Sequence, residues 1–179
     1  MRPVVLLAGA CTVALALAAA VLARDGEPTL PCSELPGRAL PALDDRHIPH
    51  ADADHEPYNS VPPTSGPHVP FTVAPGPYRE EIDEEIQTHA LEHGHVLLQY
   101  APGTPRSQVD ALEDVARRNP RHVVVAPYGR LERGIALTAW TRIERLPAVD
   151  DARVERFVDA VAGRYKHGWR DGARPCGGV

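Results

Sequence analysis

The distribution of proline is the feature that most constrains how this chain can fold. Twelve of its nineteen prolines lie between Pro28 and Pro77. Proline has a fixed φ and lacks a backbone N–H, so a segment this rich in proline forms neither regular helix nor central strand. Loops of this length are usually disordered or functional. The histidines and aromatic side chains in the segment favour an ordered, packed loop; they are His47, His50, His55, His68, Tyr58 and Phe71.

The apolar pattern after residue 80 predicts regular structure. Helical spacing is expected over 80–93, with Gly94 ending the helix, and over 104–118, with Thr104 as the N-cap. A third helix is expected to begin at Asp150 or Asp151. Strands are predicted at 96–100, at 122–126 and, as one alternating strand, at 135–143. The fold class is therefore α/β (α+β): a small mixed sheet with about three packed helices, preceded by the long proline-rich N-terminal loop.

Residues 3–23 form an uncharged run of 21 residues between Arg2 and Arg24. The run just reaches the length of a membrane-spanning helix, but it is rich in alanine. It is interpreted as a membrane anchor or as a signal peptide cut after Ala23, with a lipoprotein cysteine at Cys11 as a third alternative. The expected organisation is leader or anchor 1–23, linker 24–46 and a single extracytoplasmic domain 47–179. The protein is thus expected at the cell membrane, or secreted if the leader is cleaved.

Charge and cysteine content exclude further classes of protein. The net charge of −5, without a run of Lys or Arg, gives no basic surface for a nucleic-acid backbone. Apart from Cys11, the cysteines are Cys32 and Cys176, which are predicted to form a disulfide in an oxidising compartment. The sequence has no Cys-x-x-Cys, so a dithiol redox enzyme has no support.

The segment from His89 to His95 carries the strongest chemical signal. On a helix His89, Glu92 and His93 share one face, and two imidazoles at i and i+4 form a bidentate metal clamp. The simpler alternative is a pair of histidines that favour the helix dipole at its C-terminus. The same residues fit the His-x-x-Glu-His pattern of inverted zinc proteases, in which Glu144 or Glu155 would have to supply a third ligand.

The proline-rich loop offers further ligands. Pro62-Pro63 and the Ser65-Gly66-Pro67 turn stiffen the backbone before His68, which could add a third imidazole from outside the helix. Alternatively, His68 is hydrogen-bonded to backbone in a loop that covers the sheet. Three histidines and three acids lie between His47 and Glu56, a composition that suits Zn²⁺ or Cu²⁺. Met1 is the only methionine, so a thioether copper site is disfavoured.

The chain resembles a known bacterial family through three segments. These are Tyr58 to His68, His89 to Gly94, and Leu137 to Trp140. Together they resemble domain-of-unknown-function family 3105 (DUF3105) from about residue 47 to residue 168, and Gly76-Pro77-Tyr78 fits the family's Gly-x-Tyr element. The resemblance implies a membrane-tethered domain without an established activity. It also implies a polar signature of His47, Tyr58, His68, His89, Glu92 and His93, whereas His50, His55 and His95 are particular to this chain.

Three functions remain in competition. The favoured one is a metal-binding domain, weakly catalytic or not an enzyme, that holds copper or zinc through His68, His89 and His93, with Glu92 or Tyr58 in support. The second is a metal-dependent hydrolase with Glu92 as the base. In the third, the histidines only join loop to helix in a structural domain of an envelope assembly. The expected partners are the membrane, through residues 3–23, and an unknown envelope protein.

Overall fold

The computed structural model describes residues 30–168. A short 3₁₀ helix, Cys32–Glu34, precedes the first strand. The six strands are β1 (Arg38–Ala39), β2 (Gly76–Pro77), β3 (Val96–Tyr100), β4 (Val123–Pro127), β5 (Ile135–Ala139) and β6 (Arg142–Leu146). The three α-helices are α1 (Glu84–Glu92), α2 (Arg106–Arg118) and α3 (Asp151–Val161).

The six strands form one mixed sheet in the order β1-β6-β5-β3-β4-β2. β3 and β4 are parallel and α2 connects them, because a parallel pair needs a long crossover. β5 runs antiparallel to both β3 and β6. The central strands are apolar and almost fully buried, as expected for strands covered on both faces. The sheet with its three helices confirms the predicted α+β class.

The strand predicted over 135–143 is wrong, because the structure divides it into β5 and β6. A two-residue turn, Trp140-Thr141, reverses the chain between these strands. Thr141 adopts the left-handed region (φ 59°), which β-branched residues rarely do, and its hydroxyl donates to the carbonyl of Trp140 at 2.7 Å. The turn contains no glycine, asparagine or proline, and its residues continue the alternating pattern of the strands. For this reason the sequence pattern does not indicate it.

The helix ends test the predicted caps. Thr104 does not cap α2: its hydroxyl donates to the carbonyl of Ala101 at 2.7 Å, and the helix begins at Arg106. Asp150 caps α3, since its side chain accepts from the backbone N–H of Arg153 at 3.1 Å. Gly94 ends α1 as predicted, with φ 82° and its N–H donating to the carbonyl of Leu91 at 2.9 Å.

The proline-rich loop packs against the rest of the fold. Its central segment is buried from Pro62 to Val69. The carbonyl of Thr64 accepts from the N–H of Thr141 at 2.9 Å, which ties the loop to the β5–β6 turn. The Ser65 hydroxyl accepts from the N–H of Leu43 at 3.0 Å. Part of the expected linker also belongs to the sheet, because β1 lies within it.

The predicted leader 3–23 and Cys176 lie outside the described residues. Among residues 30–168, none of the helices combines the length and the apolar character that crossing a bilayer requires. The membrane tether and the Cys32–Cys176 disulfide therefore stay predictions.

Candidate metal centre

The buried face of α1 is held over the sheet by a chain of polar side chains. The Gln87 amide donates to the carbonyl of Ile82, and its oxygen accepts from the amide of Gln99 on β3. The Gln99 oxygen in turn accepts from the hydroxyl of Thr138 on β5 at 3.2 Å. Hydrogen bonds between buried groups are costly to lose, so these bonds at the first turn fix α1 over the sheet, and the rigid helix carries its last turn with it.

His89 and Glu92 project from that last turn into the interior. His89 and Glu92 expose 6% and 3% of their surface. The Nδ1 of His89 lies 2.6 Å from the carbonyl oxygen of Val69. Because a carbonyl only accepts, Nδ1 carries the proton in this bond, and the neutral ring presents its Nε2 lone pair on the other side.

His68 is fixed in the same way. Its Nδ1 lies 2.8 Å from the carbonyl oxygen of Gly66, so Nδ1 is again a donor and, in the neutral form of the ring, Nε2 carries the free lone pair. Tyr58 supports this turn, since its hydroxyl donates to the carbonyl of Pro67 at 2.6 Å. A Cβ on Gly66 would approach the Tyr58 ring to 2.8 Å, which shows how closely the ring packs there.

His47 is brought beside His68 by backbone pairing. The two residues form an isolated parallel bridge, in which the N–H of Ile48 donates to the His68 carbonyl at 2.8 Å. The His47 ring stacks on that of His89, with centroids 5.3 Å apart and planes at 14°. His47 is the exposed member of the group, so it closes the site toward solvent.

These four side chains form the main group that could hold a metal ion: His47, His68, His89 and Glu92. One ligand atom from each lies within 4.8 Å of all the others. The Nε2 of His68 is 3.2 Å from the Oε2 of Glu92, and His68 is fully buried. Within residues 30–168, neither atom has a hydrogen-bond partner. This is unusual, because buried polar atoms are normally paired.

Burial also affects the charge of the rings on α1. Desolvation lowers the pKa of His89 below its usual value of 6.5, although the bond to Val69 opposes this. Desolvation likewise lowers the pKa of His93, with His167 adding to the effect. Neutral imidazole is the form that binds metals, so lowered values favour ligation near neutral pH.

His93 does not join His68 and His89 in this group, contrary to the predicted triad. It belongs to a second group with Glu92 and His167, whose ligand atoms also lie within 4.8 Å of one another. His93 is the C-cap of α1 (φ −86°, ψ 9°) and stacks parallel on His89, with centroids 4.6 Å apart. The i,i+4 spacing thus places the two rings side by side rather than around one point.

Tyr58, and the three histidines that were not predicted as ligands, fall outside both groups. Tyr58 contacts the loop backbone and supports His68 indirectly. His55 lies 3.2 Å from Glu85, His95 lies near His122, and His50 is exposed. Burial lowers the pKa of His95 to about 4. His167 was missed, because a lone histidine in a polar segment gives no pattern to find it by.

The carboxylates nominated for a hydrolase are engaged elsewhere. Glu144 accepts from Arg153 at 2.6 Å and 2.8 Å, and Glu155 accepts from Arg118 at 2.9 Å. Glu92 itself is buried between histidines rather than facing an open cleft. The geometry therefore gives the inverted zinc protease pattern no third ligand at either position.

The chain as a whole matches one protein family. By its fold and its site, the protein is an α+β domain with a buried histidine–carboxylate cluster. The sequence matches the family described as "Protein of unknown function (DUF3105)" over residues 50–174, and the chain belongs to this family. No curated protein and no solved structure matches the chain. The family's description assigns no activity, so function is argued from the site.

Proposed function

We propose that this domain binds one divalent transition-metal ion, zinc or copper, through His47, His68, His89 and Glu92. All four residues are among the candidates from the sequence; of the remaining candidates, His93 is left out and Tyr58 only supports the loop. The observation that carries it is the close approach of His68 Nε2 and Glu92 Oε2 at 3.2 Å without a hydrogen bond. With its proton on Nδ1, neutral His68 offers a lone pair to an oxygen that also only accepts, and a cation would satisfy both atoms.

The hydrogen bonds behind the ligands support the same proposal. Histidines that bind metals usually donate their other N–H to a carbonyl or a carboxylate, which fixes the ring and its tautomer. Both buried histidines do so, His68 to Gly66 and His89 to Val69. The site is thus oriented from three parts of the chain: the proline-rich loop, the segment at His47 and the last turn of α1.

The donor set favours a binding role. Three imidazoles and one carboxylate suit Zn²⁺ or Cu²⁺. Four protein donors would complete a tetrahedral zinc shell, whereas catalytic zinc keeps one position open. A purely structural role would need a proton between His68 Nε2 and Glu92 Oε2, on one atom or the other, and that proton would make a hydrogen bond between them. The missing hydrogen bond argues against that pairing.

The location of the domain is part of the proposal. An uncharged segment over residues 3–23 supports a single-pass anchor with the domain outside the cytoplasm, or secretion after cleavage. Alkaline phosphatase fused after Val179 is expected to be active, since that enzyme folds only in an oxidising compartment. An inactive fusion, with the full-length protein in the cytoplasm, would refute the proposed location.

The metal proposal is tested by titrating the purified protein with Zn²⁺ and with Cu²⁺ after chelator treatment. His47→Ala is the informative variant, because His47 is the exposed member of the group and lies outside the hydrophobic core. His50→Ala is the matched control, an exposed histidine of the same loop outside both groups. Loss of high-affinity binding in His47→Ala but not in His50→Ala supports the site. Parent protein without stoichiometric binding, or binding that survives His47→Ala unchanged, overturns it.

A further inference from the structure

A second cluster shares Glu92 with the proposed site. Glu92 directs its two oxygens to different histidines: Oε2 lies 3.2 Å from His68 Nε2, and Oε1 lies 3.2 Å from His167 Nδ1. The carboxylate therefore stands between two sets of nitrogen donors. One set is the proposed site, and the other consists of His93 and His167.

The second set is assembled by the chain that follows α3. The backbone N–H of His167 donates to the carbonyl of Glu92 at 3.3 Å, so the residue is tied to the end of α1. His167 has φ 51°, in the left-handed region, and the N–H of Lys166 donates to the carbonyl of Gly168 at 2.9 Å. The His93 and His167 rings meet edge to face, with centroids 4.9 Å apart.

We propose that Glu92 bridges two metal ions, with the second held by His93, His167 and Glu92 Oε1. This inference rests on the proposed function, because it adds a neighbour to that site. A carboxylate that binds one ion with each oxygen is a common link in two-metal centres, where the ions lie about 3.5–4 Å apart. The ligand class is again a zinc- or copper-like divalent ion, since its protein donors are imidazole and carboxylate.

The two ions are expected to differ in affinity. The second site has three protein donors, shares its only carboxylate and lies near the positive charge of Lys166. His167 also leaves 54% of its side chain exposed, whereas His68 is fully buried. The second ion is therefore bound more weakly, exchanges with solvent and keeps coordination positions for water or another small ligand. The first ion fills before it.

Copper titration followed by electron paramagnetic resonance tests the bridge, with Cu²⁺ alone as the probe. The parent is expected to bind two ions in two steps. The spectrum is expected to be that of an isolated Cu²⁺ after the first step and to show spin coupling after the second. His167→Ala is expected to keep the first step and to lose both the second step and the coupling. This exposed residue can be removed without disturbing the core. His50→Ala is the control and is expected to retain both steps.

The possible failures are distinguishable. A parent that binds one ion overturns the second site and leaves the first standing. Two ions without magnetic coupling, or a second step that survives His167→Ala, place the second ion elsewhere and overturn the bridge. Loss of the second step in His50→Ala assigns that ion to the N-terminal loop and also overturns it. A parent that binds no ion overturns both this inference and the proposed function.

Discussion

The Nε2 atom of His68 lies 3.2 Å from the Oε2 atom of Glu92, inside the protein and without a hydrogen bond between them. His68 lies in the proline-rich loop, and Glu92 is the last residue of α1. The distance between the two atoms thus depends on how the loop packs against the helix. Separate contacts hold the loop and the helix in place.

Zinc is expected to stabilise the fold. An ion that binds only the folded state adds free energy of unfolding, about 2.7 kcal/mol when its concentration is a hundred times its dissociation constant. Thermal unfolding followed by circular dichroism should show a higher Tm with Zn²⁺ than with chelator for the parent and for His50→Ala. His47→Ala should show a much smaller increase. An equal increase in all three proteins would locate the stabilising ion elsewhere.

The stabilisation by zinc is expected to depend on pH. Protons compete with the metal for imidazole, so affinity falls where the ligands become protonated. The pKa of His89 is lowered from 6.5, and its ring therefore stays neutral, and competent to bind, somewhat below that pH. In the metal-free protein the lowered pKa means that, in mildly acidic solution, His89 binds more protons in the unfolded chain than in the folded protein. His89 therefore lowers the free energy of unfolding as the pH falls below about 6.5. Zinc titrations at stepped pH should show affinity constant near neutrality and declining in mildly acidic buffer; constant affinity into strong acid would contradict imidazole ligation.

Tyr58→Phe tests whether the loop holds His68 in place. The change removes the hydrogen bond to the carbonyl of Pro67 and is expected to lower the free energy of unfolding by about 1 kcal/mol. Zinc affinity should also fall, because the turn that orients His68 is loosened. Tyr78→Phe is the matched control: its hydroxyl donates to Ala74 at 2.8 Å but is exposed and lies outside the site. Equal effects of the two changes in urea and zinc titrations would deny Tyr58 a role in positioning His68.

Gly94→Ala tests the end of α1. Gly94 has φ 82°, and a Cβ there would lie 2.4 Å from the carbonyl oxygen of Tyr165. Gly103→Ala is the control, since Gly103 has φ 80° but no atom within 4 Å of the added Cβ. The backbone strain, about 1–2 kcal/mol, is therefore common to both variants. Chemical denaturation should show a larger loss for Gly94→Ala, and equal losses would mean that the close contact has no consequence.

A disulfide between Cys32 and Cys176 is the prediction for the chain termini. Closing a loop of well over 100 residues is expected to stabilise the fold by roughly 4–5 kcal/mol in the chain-entropy account. Mass mapping without reductant should find the two residues in one linked peptide, and Cys176→Ser should lower the Tm under oxidising conditions. Two free thiols in the exported protein would reject the pairing.

The sequence predicted the fold best where an apolar pattern was compatible with only one type of secondary structure. β3 was predicted with its bounds, 96–100, because Gly94 ends the preceding helix and a short apolar run follows. The β5–β6 turn was missed because Trp140 and Thr141 carry none of the usual turn residues. Thr141 is held in its left-handed conformation by tertiary contacts, including the bond to Thr64, which local propensity does not report.

The site was predicted only in part, because some of its contacts depend on the whole fold and not on local sequence. Helical spacing predicted that His89 and Glu92 share one face, and both are buried there; His68 from the stiff loop lies beside them. His93 lies in the second group rather than beside His68, since the regular helix ends one residue before it. His167 reaches Glu92 only through the packing of the segment after α3. Contacts of that kind are set by the whole fold and leave no periodic trace in the sequence.

A crystal structure of the zinc-loaded protein, with anomalous data at the zinc edge, tests the central proposal most directly. An anomalous peak is expected about 2.0–2.2 Å from His68 Nε2 and from Glu92 Oε2, with His47 and His89 completing the shell. The hydrogen bonds from His68 to Gly66 and from His89 to Val69 should remain. A crystal soaked in zinc that shows no peak there, and instead a direct hydrogen bond between His68 and Glu92, would contradict the account.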